Sequence, residues 1–372
     1  MNSISIIGAG IGGLTLANIL KQQTLDFSIY ESAPEIKPVG AGIIMAINAM
    51  QIFDKLGLKE KIERAGNKIH GITITDESLK SISKTNILEL EKKYNSCNVA
   101  IHRASLQKIL AENIGLEKIQ TGHKLLQIEK KDHYHLTFEN GNTVESKIVF
   151  GADGIQSKVR NQLLQTGIIR NAGQKCWRGW VNFDLPEQYH QEAMEMWGKG
   201  KRFGFVKMSD KSLYWYALVN EKHFSKDLNL LSVFKDFNGL VLEILQATPP
   251  EHIILNDITD LSPIPKWYSE HLCLIGDAAH ATTPNMGQGA CQAIEDAYII
   301  GELLKTHKEY DKIFQEFQAI RRKKVDYIVR TSRKIGEISQ WERGNSIRNF
   351  LMRFIPESVN QKLGEKIIRL EK

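Results

Sequence analysis

Three short apolar runs, far apart in the chain, each end in glycine. Ser3 to Ile7 predicts a buried strand running into Gly8-Ala9-Gly10-Ile11-Gly12-Gly13, and the next stretch, Leu14 to Lys21, puts Leu14, Ala17 and Leu20 on one helical face. Phe27 to Tyr30 predicts a second strand, ending at Glu31. Lys147 to Phe150 leads into Gly151-Ala152-Asp153-Gly154. Leu272 to Ile275 leads into Gly276-Asp277, then Pro284-Asn285-Met286-Gly287-Gln288-Gly289 and a helix over 290–304. Lys124 to Lys130 and His133 to Glu139 alternate as a meander, Asn140-Gly141 predicts a type I′ turn, and Thr143 to Glu145 follows as a strand.

A different pattern fills residues 171–266. Cys176-Trp177-Arg178-Gly179-Trp180-Val181, Arg202-Phe203-Gly204-Phe205-Val206 and Leu213-Tyr214-Trp215-Tyr216-Ala217-Leu218 combine β-forming side chains with period-two alternation. That predicts a sheet with one face toward the glycine-ended strands and one toward solvent. Residues 71–96 predict two edge strands for it. From Ile347 to Leu370, apolar residues are interleaved with Arg348, Arg353, Lys362, Lys366 and Arg369, which predicts a helical tail packed on the first domain or on a partner subunit, with reversible membrane contact as the sharper alternative. No internal repeat or low-complexity tract interrupts the chain.

Composition narrows the class. The 372 residues suffice for two domains, and 42% hydrophobic with 25% charged residues is ordinary for a globular protein. A net charge of +6 over this length supports no nucleic-acid partner. The dense basic run Arg321-Arg322-Lys323-Lys324 reads as a solvated helix face, with a phosphate or lipid contact as the sharper alternative. Cys97, Cys176, Cys273 and Cys291 lack metal-site spacing, so reduced thiols in a cytoplasmic protein and no metal are expected. The first strand has no basic leader before it, and no apolar run reaches the length of a membrane span.

The first glycine turn carries specific chemistry. Gly8 permits a tight turn, Gly10 lets backbone approach a pyrophosphate, and Gly13 lets the helix pack on the strand. The free amides and positive end of the helix attract the phosphates. Glu31, about 20 residues beyond the glycines, is placed to accept hydrogen bonds from a ribose. Strand, turn, helix and acid together predict a dinucleotide site of the Rossmann type.

Four stretches in order extend this reading: the first fingerprint, Ile101-His102-Arg103-Ala104-Ser105-Leu106, Asp153-Gly154, and Gly276-Asp277 through Gly289 followed by Glu295-Asp296-Ala297. Over nearly its whole length the chain resembles the group A FAD-dependent monooxygenases, the aromatic hydroxylases typified by p-hydroxybenzoate hydroxylase. The resemblance implies an α/β fold: a Rossmann-type FAD-binding domain with an inserted mixed β-sheet substrate domain and a C-terminal helical segment. The FAD domain is expected from 1–70, 97–170 and 267–340, the substrate domain from 71–96 and 171–266, and the helical segment from 341–372.

The same resemblance implies FAD as bound cofactor and NADH or NADPH as a transient reductant. O₂ would then form a flavin C4a-hydroperoxide that hydroxylates or epoxidises a small aromatic or heterocyclic substrate. It implies that Arg103 contacts the pyrophosphate, that Asp277 beside Gly276 holds a ribityl hydroxyl, and that Asp153 beside Gly154 serves both the FAD and nicotinamide ends. Pro284, Gly287, Gln288 and Gly289 are the catalytic candidates, since amides there would stabilise the anionic edge of reduced flavin. Gly42 and Ile43, within Gly40-Ala41-Gly42-Ile43-Ile44, resemble a flavin-side loop. A reductase, an oxidase or a halogenase on the same fold, or a non-catalytic FAD redox sensor, stays open, although the W-x-W-x-I-P stretch of halogenases is missing.

For the substrate side, Trp177, Arg178, Arg202, Tyr214 and Tyr216 are candidate lining residues. Arg202 and Tyr214 resemble the arginine and tyrosine of urate-hydroxylase-like members, and 284–289 resembles zeaxanthin epoxidases. Asn285 stands where urate-type members usually have aspartate, which argues against urate. His280 reads as a packing residue rather than a proton-transfer group. A monomer or homodimer is expected.

Overall fold

A computed structural model describes residues 2–36 and 41–371. The eight-stranded sheet holds the glycine-ended runs. Its path is Tyr268–Ser269, Leu272–Leu274, Thr143–Gly151, Asn2–Ile7, Phe27–Tyr30 and Ile119–Gln120, with Tyr134–Phe138 and Leu125–Lys130 paired off Thr143–Gly151. Asn2–Ile7 is parallel to both neighbours, and Thr143–Gly151 is parallel to Leu272–Leu274. Ile4, Ile6, Ile29, Val149 and Leu274 are buried against helices Ile11–Gln22, Arg103–Ile114 and Gly289–Thr306.

Two local expectations are corrected. Thr143–Gly151 is one nine-residue strand rather than two short ones, because Ser146 pairs with Tyr134 on one side and Asn2 on the other. The Asn140-Gly141 turn is not type I′, which needs positive φ at both central residues. Only Gly141 has positive φ, and its N–H donates to Phe138 O, so the hairpin closes through a three-residue loop with a glycine bulge.

The seven-stranded sheet runs Ile253–Leu261, Ile169–Asn182, Ser212–Asn220, Lys201–Lys207, Glu192–Trp197, Gly71–Thr75, Ser81–Asn86. Gly71–Thr75 pairs parallel with Glu192–Trp197 and the other contacts are antiparallel, so the sheet is mixed. Its outer face is not solvated as expected. Helices Leu230–Val233 and Gly239–Ala247 cover it, burying Phe234, Val241 and Ile244 against Phe203 and Trp215. A third sheet, unexpected from the sequence, joins Gly42–Met45, Asn98–His102 and Asn67–Ile69 between the two larger ones.

Helix Tyr310–Ser339 crosses from the first sheet to the second. The tail forms helices Asn345–Arg353 and Glu357–Ile368, which pack chiefly on edge strand Ser81–Asn86, and its end returns to the first domain, where Ile368 is buried with Ile47 and Gln51 bonds Ile368 O. Asn360 Nδ2 bonds Ser83 Oγ and Gln361 Nε2 bonds Asn86 O, so the tail caps a sheet edge that would otherwise be open to pairing. Among the described residues no helix is long and apolar enough to cross a membrane.

Candidate active site

The glycine-ended strands finish side by side. Ile7 is in register with Gly151 and Tyr30, and Gly151 with Leu274, so three distant stretches leave the same edge of the sheet. Open α/β sheets bind ligands at such carboxyl ends. Gly8 has φ +107°, and a Cβ there would lie 2.4 Å from Ala152 O. At Gly13 a Cβ would lie 2.1 Å from Gly8 O, whereas at Gly10 it would meet no atom within 4 Å. Gly8 and Gly13 close the turn, and Gly10 faces open space. Helix Ile11–Gln22 has no side-chain cap, which leaves its first amides available to an anion.

Around this turn sit the polar groups. Ala9 N–H donates to Glu31 Oε2 (2.7 Å), and Ala33 N–H to Oε1 (2.8 Å), which fixes the carboxylate beside the turn with lone pairs left for hydroxyls. Gln107, which sequence reasoning missed, donates to Ala9 O (2.8 Å) and ties the second helix to the turn. Arg103 opens helix Arg103–Ile114, behind His102, whose ring accepts from Ala104 N–H. Its side chain is exposed and makes no hydrogen bond to a described residue. Gly42 and Ile43 pair with His102 and Ile101, and Gly40 lies outside the described residues.

Asp153 and Asp277 face the cleft in different ways. Asp153 Oδ2 accepts from Val159 N–H (3.1 Å), while Oδ1 is buried without a partner; burial raises its pKa. Gly154 follows at φ +77° and Gly276 sits at φ +57°. Asp277 is solvent-accessible, yet desolvation raises its pKa against the opposing pull of His280 and Arg103, as expected for a carboxyl at the floor of a cleft. Arg160, buried at 1% exposure, donates to Ala278 O (2.9 Å) and Ile155 O (2.7 Å), so it clamps these two segments together.

Pro284–Met286 forms a single turn ended by Gly287 at φ +61°. A Cβ on Gly287 would meet nothing within 4 Å, and on Gly289 only Thr282 and Asp277 at its margin, so both border open space ahead of helix Gly289–Thr306. The Gln288 side chain turns away from it. Its Oε1 accepts from Asn48 (3.1 Å) and Gln292 (3.0 Å).

Beneath this loop lies a buried charged cluster that contradicts the solvated reading of the basic run. Arg321 is fully buried: Nε bonds Asp296 (2.9 Å), and the NH groups bond Glu295 (2.6 Å), Glu371 (2.8 Å) and Gln292 (2.6 Å). Lys324 bonds both oxygens of Glu295. The three-residue spacing puts 321 and 324 on one inward helix face, while Arg322 pairs with Asp326 and lies over Trp267, and Lys323 is exposed. That spacing opposite Glu295-Asp296 is the signal that was there to find. His280 is buried, with Nε2 2.5 Å from Asp296 Oδ2, and packs against Trp267. Despite burial, His280 and Arg321 hold the Asp296 carboxyl down at about 2.

The inserted sheet brings some candidates to the cleft and not others. Trp177 is corrected: alternation puts it in the helix-covered core with Phe203 and Trp215, while its neighbour Arg178 takes the inner face and bonds Asn256. Tyr216 pairs opposite Arg178 and donates its hydroxyl to Glu195. Arg202 is 1% exposed, bonded to Glu195 (3.2 Å), Gln174 (3.2 Å) and Asn285 Oδ1 (2.9 Å). The Asn285 amide in turn donates to Thr283 Oγ1 and Ser332 O, a role aspartate lacks. Arg202 therefore bolts the sheet to the 284–289 loop. Tyr214 sits against the start of strand Gly42–Met45, so close that a Cβ on Gly42 would lie 2.4 Å from Tyr214 Cβ. Its hydroxyl bonds no described residue, and burial raises its pKa. Trp180, cross-strand from Tyr214, was not singled out from the sequence. It stacks on His252 at 3.7 Å and meets His102 edge-on at 6.0 Å.

Comparison with known proteins follows the same lines. The FAD binding domain family matches residues 1–221 and 259–331. The chain is 34% identical over 362 residues to aurachin C monooxygenase/isomerase of Stigmatella aurantiaca, covering 95% of this chain and 94% of the relative. It is 31% identical to 2-heptyl-3-hydroxy-4(1H)-quinolone synthase of Pseudomonas aeruginosa, covering 98% and 97%. Klebsiella pneumoniae HpxO complexed with FAD and uric acid superposes with a TM-score of 0.90 at 25% identity, covering 98% of this chain and 96% of that one. A family match over residues 1–221 and 259–331, with full-length similarity to monooxygenases, leads to one conclusion: the chain belongs to the group A FAD-dependent monooxygenases.

Proposed function

We propose that this enzyme hydroxylates a neutral, fused aromatic heterocycle bearing an apolar chain, of the 2-alkyl-4(1H)-quinolone type, with NADH or NADPH as transient reductant. Bound FAD supplies the redox chemistry, passing reducing equivalents to O₂ so that one oxygen atom enters the substrate and the other leaves as water. Gly8, Gly10, Gly13 and the start of helix Ile11–Gln22 would hold its pyrophosphate with Arg103. Glu31 would hold the adenosine ribose, and Asp277 beside Gly276 a ribityl hydroxyl. The unpartnered Asp153 Oδ1, beside Gly154, supports a ligand-facing role for that carboxylate. Gly42, Ile43 and Pro284 would border the ring.

The main-chain amides of Gln288 and Gly289 would meet the anionic edge of the ring without reorganising, while Gly287, whose N–H donates to Pro284 O, shapes the turn that presents them. Helix Gly289–Thr306 adds its positive end, and the buried Arg321 cluster holds that helix in place. Tyr214 would bind a carbonyl or ring N–H of the substrate, with Trp180 and Arg178 beside it on the inner face. Water exclusion falls to the sheet that carries them.

One observation carries the substrate class: Arg202 is neutralised by Glu195 and bound to the amide of Asn285, so this buried guanidinium is already paired and is not offered to an anionic substrate such as urate. The name of the Pseudomonas aeruginosa relative, a 2-heptyl-3-hydroxy-4(1H)-quinolone synthase, supports an alkylated quinolone. We also propose a cytoplasmic monomer or homodimer, supported by four buried free cysteines.

The test is purified, yellow protein with 2-heptyl-4(1H)-quinolone or uric acid, either reduced cofactor and ¹⁸O₂. The quinolone is expected to accelerate cofactor oxidation and gain one ¹⁸O atom. Acceleration by uric acid instead, or cofactor oxidation with no labelled product, would refute the reading.

A further inference from the structure

Helix Asn345–Arg353 is amphipathic in the reverse of the usual sense. A helix on a protein core turns its apolar stripe inward. Here Arg348 and Asn349 are buried, with Arg348 donating to Ile338 O and Ser339 O and lying 5.0 Å over the Trp197 ring. Ile347, Phe350, Leu351 and Phe354, at helical spacing, are 65%, 57%, 62% and 68% exposed. Helix Glu357–Ile368 continues the surface with exposed Val359 and Leu363. Neighbouring apolar side chains of this size mark an interaction site rather than scattered exposure.

Charge indicates the occupant. Arg343, Lys362, Lys366 and Arg369 are exposed in the same segment, while Arg353 is paired with Asp76. Of its acids, Glu342 is bound to Lys222, Glu365 to Lys93 and Glu371 to Arg321, which leaves Glu357 as the exposed one. An apolar stripe rimmed with cations complements an anionic lipid surface. It does not complement a second copy of itself, since a two-fold contact sets the same patch against itself and brings the cations together.

We propose that the two C-terminal helices form a docking face for an anionic lipid bilayer. The face lies immediately outside the site. Trp197, under Arg348, is the cross-strand partner of Arg202, and Trp341 O accepts from Gly200 N–H at the turn leading into the same strand. A protein seated on this face holds its inserted sheet at the membrane surface, where apolar substrates concentrate. The docking itself rests on the exposed residues alone and stands whatever the substrate is.

Flotation of the FAD-loaded full chain tests this, with vesicles of phosphatidylcholine alone and of phosphatidylcholine mixed with phosphatidylglycerol. The wild type is expected to float with the mixed vesicles, more weakly with neutral ones, and less as salt rises. The double substitution F350S/F354S is expected to lower the bound fraction at least about tenfold, and K362E/K366E to abolish the preference for anionic vesicles. Flavin absorbance and circular dichroism report that each variant is folded, and Ile347→Ser provides a milder second test. Failure of the wild type to bind either vesicle overturns the proposal. So does equal binding by folded F350S/F354S, or a wild-type dimer that the same substitution splits while vesicles bind neither form.

Discussion

The two walls of the cleft are built from different materials. The wall proposed to hold the cofactor is main chain: strand ends at Ile7, Gly151 and Leu274, a turn in which Gly8 and Gly13 leave no room for a Cβ, and amides ahead of two helices. The roof is side chain: Arg202, Glu195, Tyr216, Gln174 and Asn285 bonded into one unit, with Tyr214 and Trp180 beside it. Backbone walls fail abruptly, because a carbonyl cannot move aside. Side-chain walls fail by degrees.

The sharpest break of this comparison is Gly8→Ala. Positive φ costs about 1–2 kcal/mol and forced overpacking about 1–3 kcal/mol more, so the loss reaches about 5 kcal/mol and bound flavin goes with it. Gly10→Ala, with open space around its Cβ, is expected to keep the melting temperature of the flavin-free protein and weaken flavin retention alone. Thermal unfolding beside flavin absorbance separates the two; equal destabilisation would break the distinction.

Next in size is Arg321→Met. Removing one partner of a buried ion pair costs about 3–5 kcal/mol, here by stranding Glu295 and Asp296 without their main cation. Urea unfolding measures it, and Lys323→Met, exposed on the outward side of the same turn, is expected to change stability by less than about 1 kcal/mol.

The same contrast in materials explains what the sequence could reveal. Gly8, Gly276 and Gly287 are visible in a string of letters because a backbone conformation selects one residue type, and Gly13 because a Cβ there would strike Gly8 O. The convergence of their strands follows from parallel pairing at a sheet edge. Side-chain networks leave weaker marks. Trp177 and Arg178 are adjacent and so must face opposite ways, yet parity alone does not say which face meets the cleft; that depends on the two helices over Trp215. The basic run 321–324 looks solvated until Glu295-Asp296 is known to lie opposite. Gln107, Arg160 and Trp180 act through partners about 80 or more positions away or on another segment, beyond any local pattern.

Parity gives the third prediction. Trp177→Ala opens a hole in the helix-covered core and costs about 3 kcal/mol, with KM little changed in the folded fraction. Trp180→Ala, on the inner face, is expected to cost less stability and to raise KM several-fold. Chemical unfolding and steady-state kinetics on both variants check this, and a reversed pattern would mean that the faces are exchanged.

The acid limb of stability follows from Asp296. Its folded pKa of about 2 lies below the ordinary 3.8, held down by His280 and Arg321 against burial. A depressed carboxyl contributes stability that is present above pH 3.8 and lost as pH falls toward about 2. The contribution is about 2 kcal/mol, read as the difference in acid unfolding between wild type and Asp296→Asn. Asp153 and Asp277 act in the opposite direction, because burial raises them: their contribution falls as pH rises from the ordinary carboxyl range through the raised values.

Tyr214→Phe is the smallest change and isolates the roof from the wall it touches. The ring stays, so its contact with Gly42 and its packing beside Val206 are kept. The hydroxyl bonds no described residue, so its removal is expected to change the melting temperature little. If it instead meets the substrate, losing that hydrogen bond costs about 1–1.5 kcal/mol, or roughly tenfold in kcat/KM. Tyr216→Phe serves as the matched control one pleat away, since it leaves Glu195 short of a donor beside Arg202 and should lower stability first. Isothermal denaturation and kcat/KM on this pair decide whether Tyr214 faces substrate: a folded Tyr214→Phe with wild-type kinetics would assign it to packing alone.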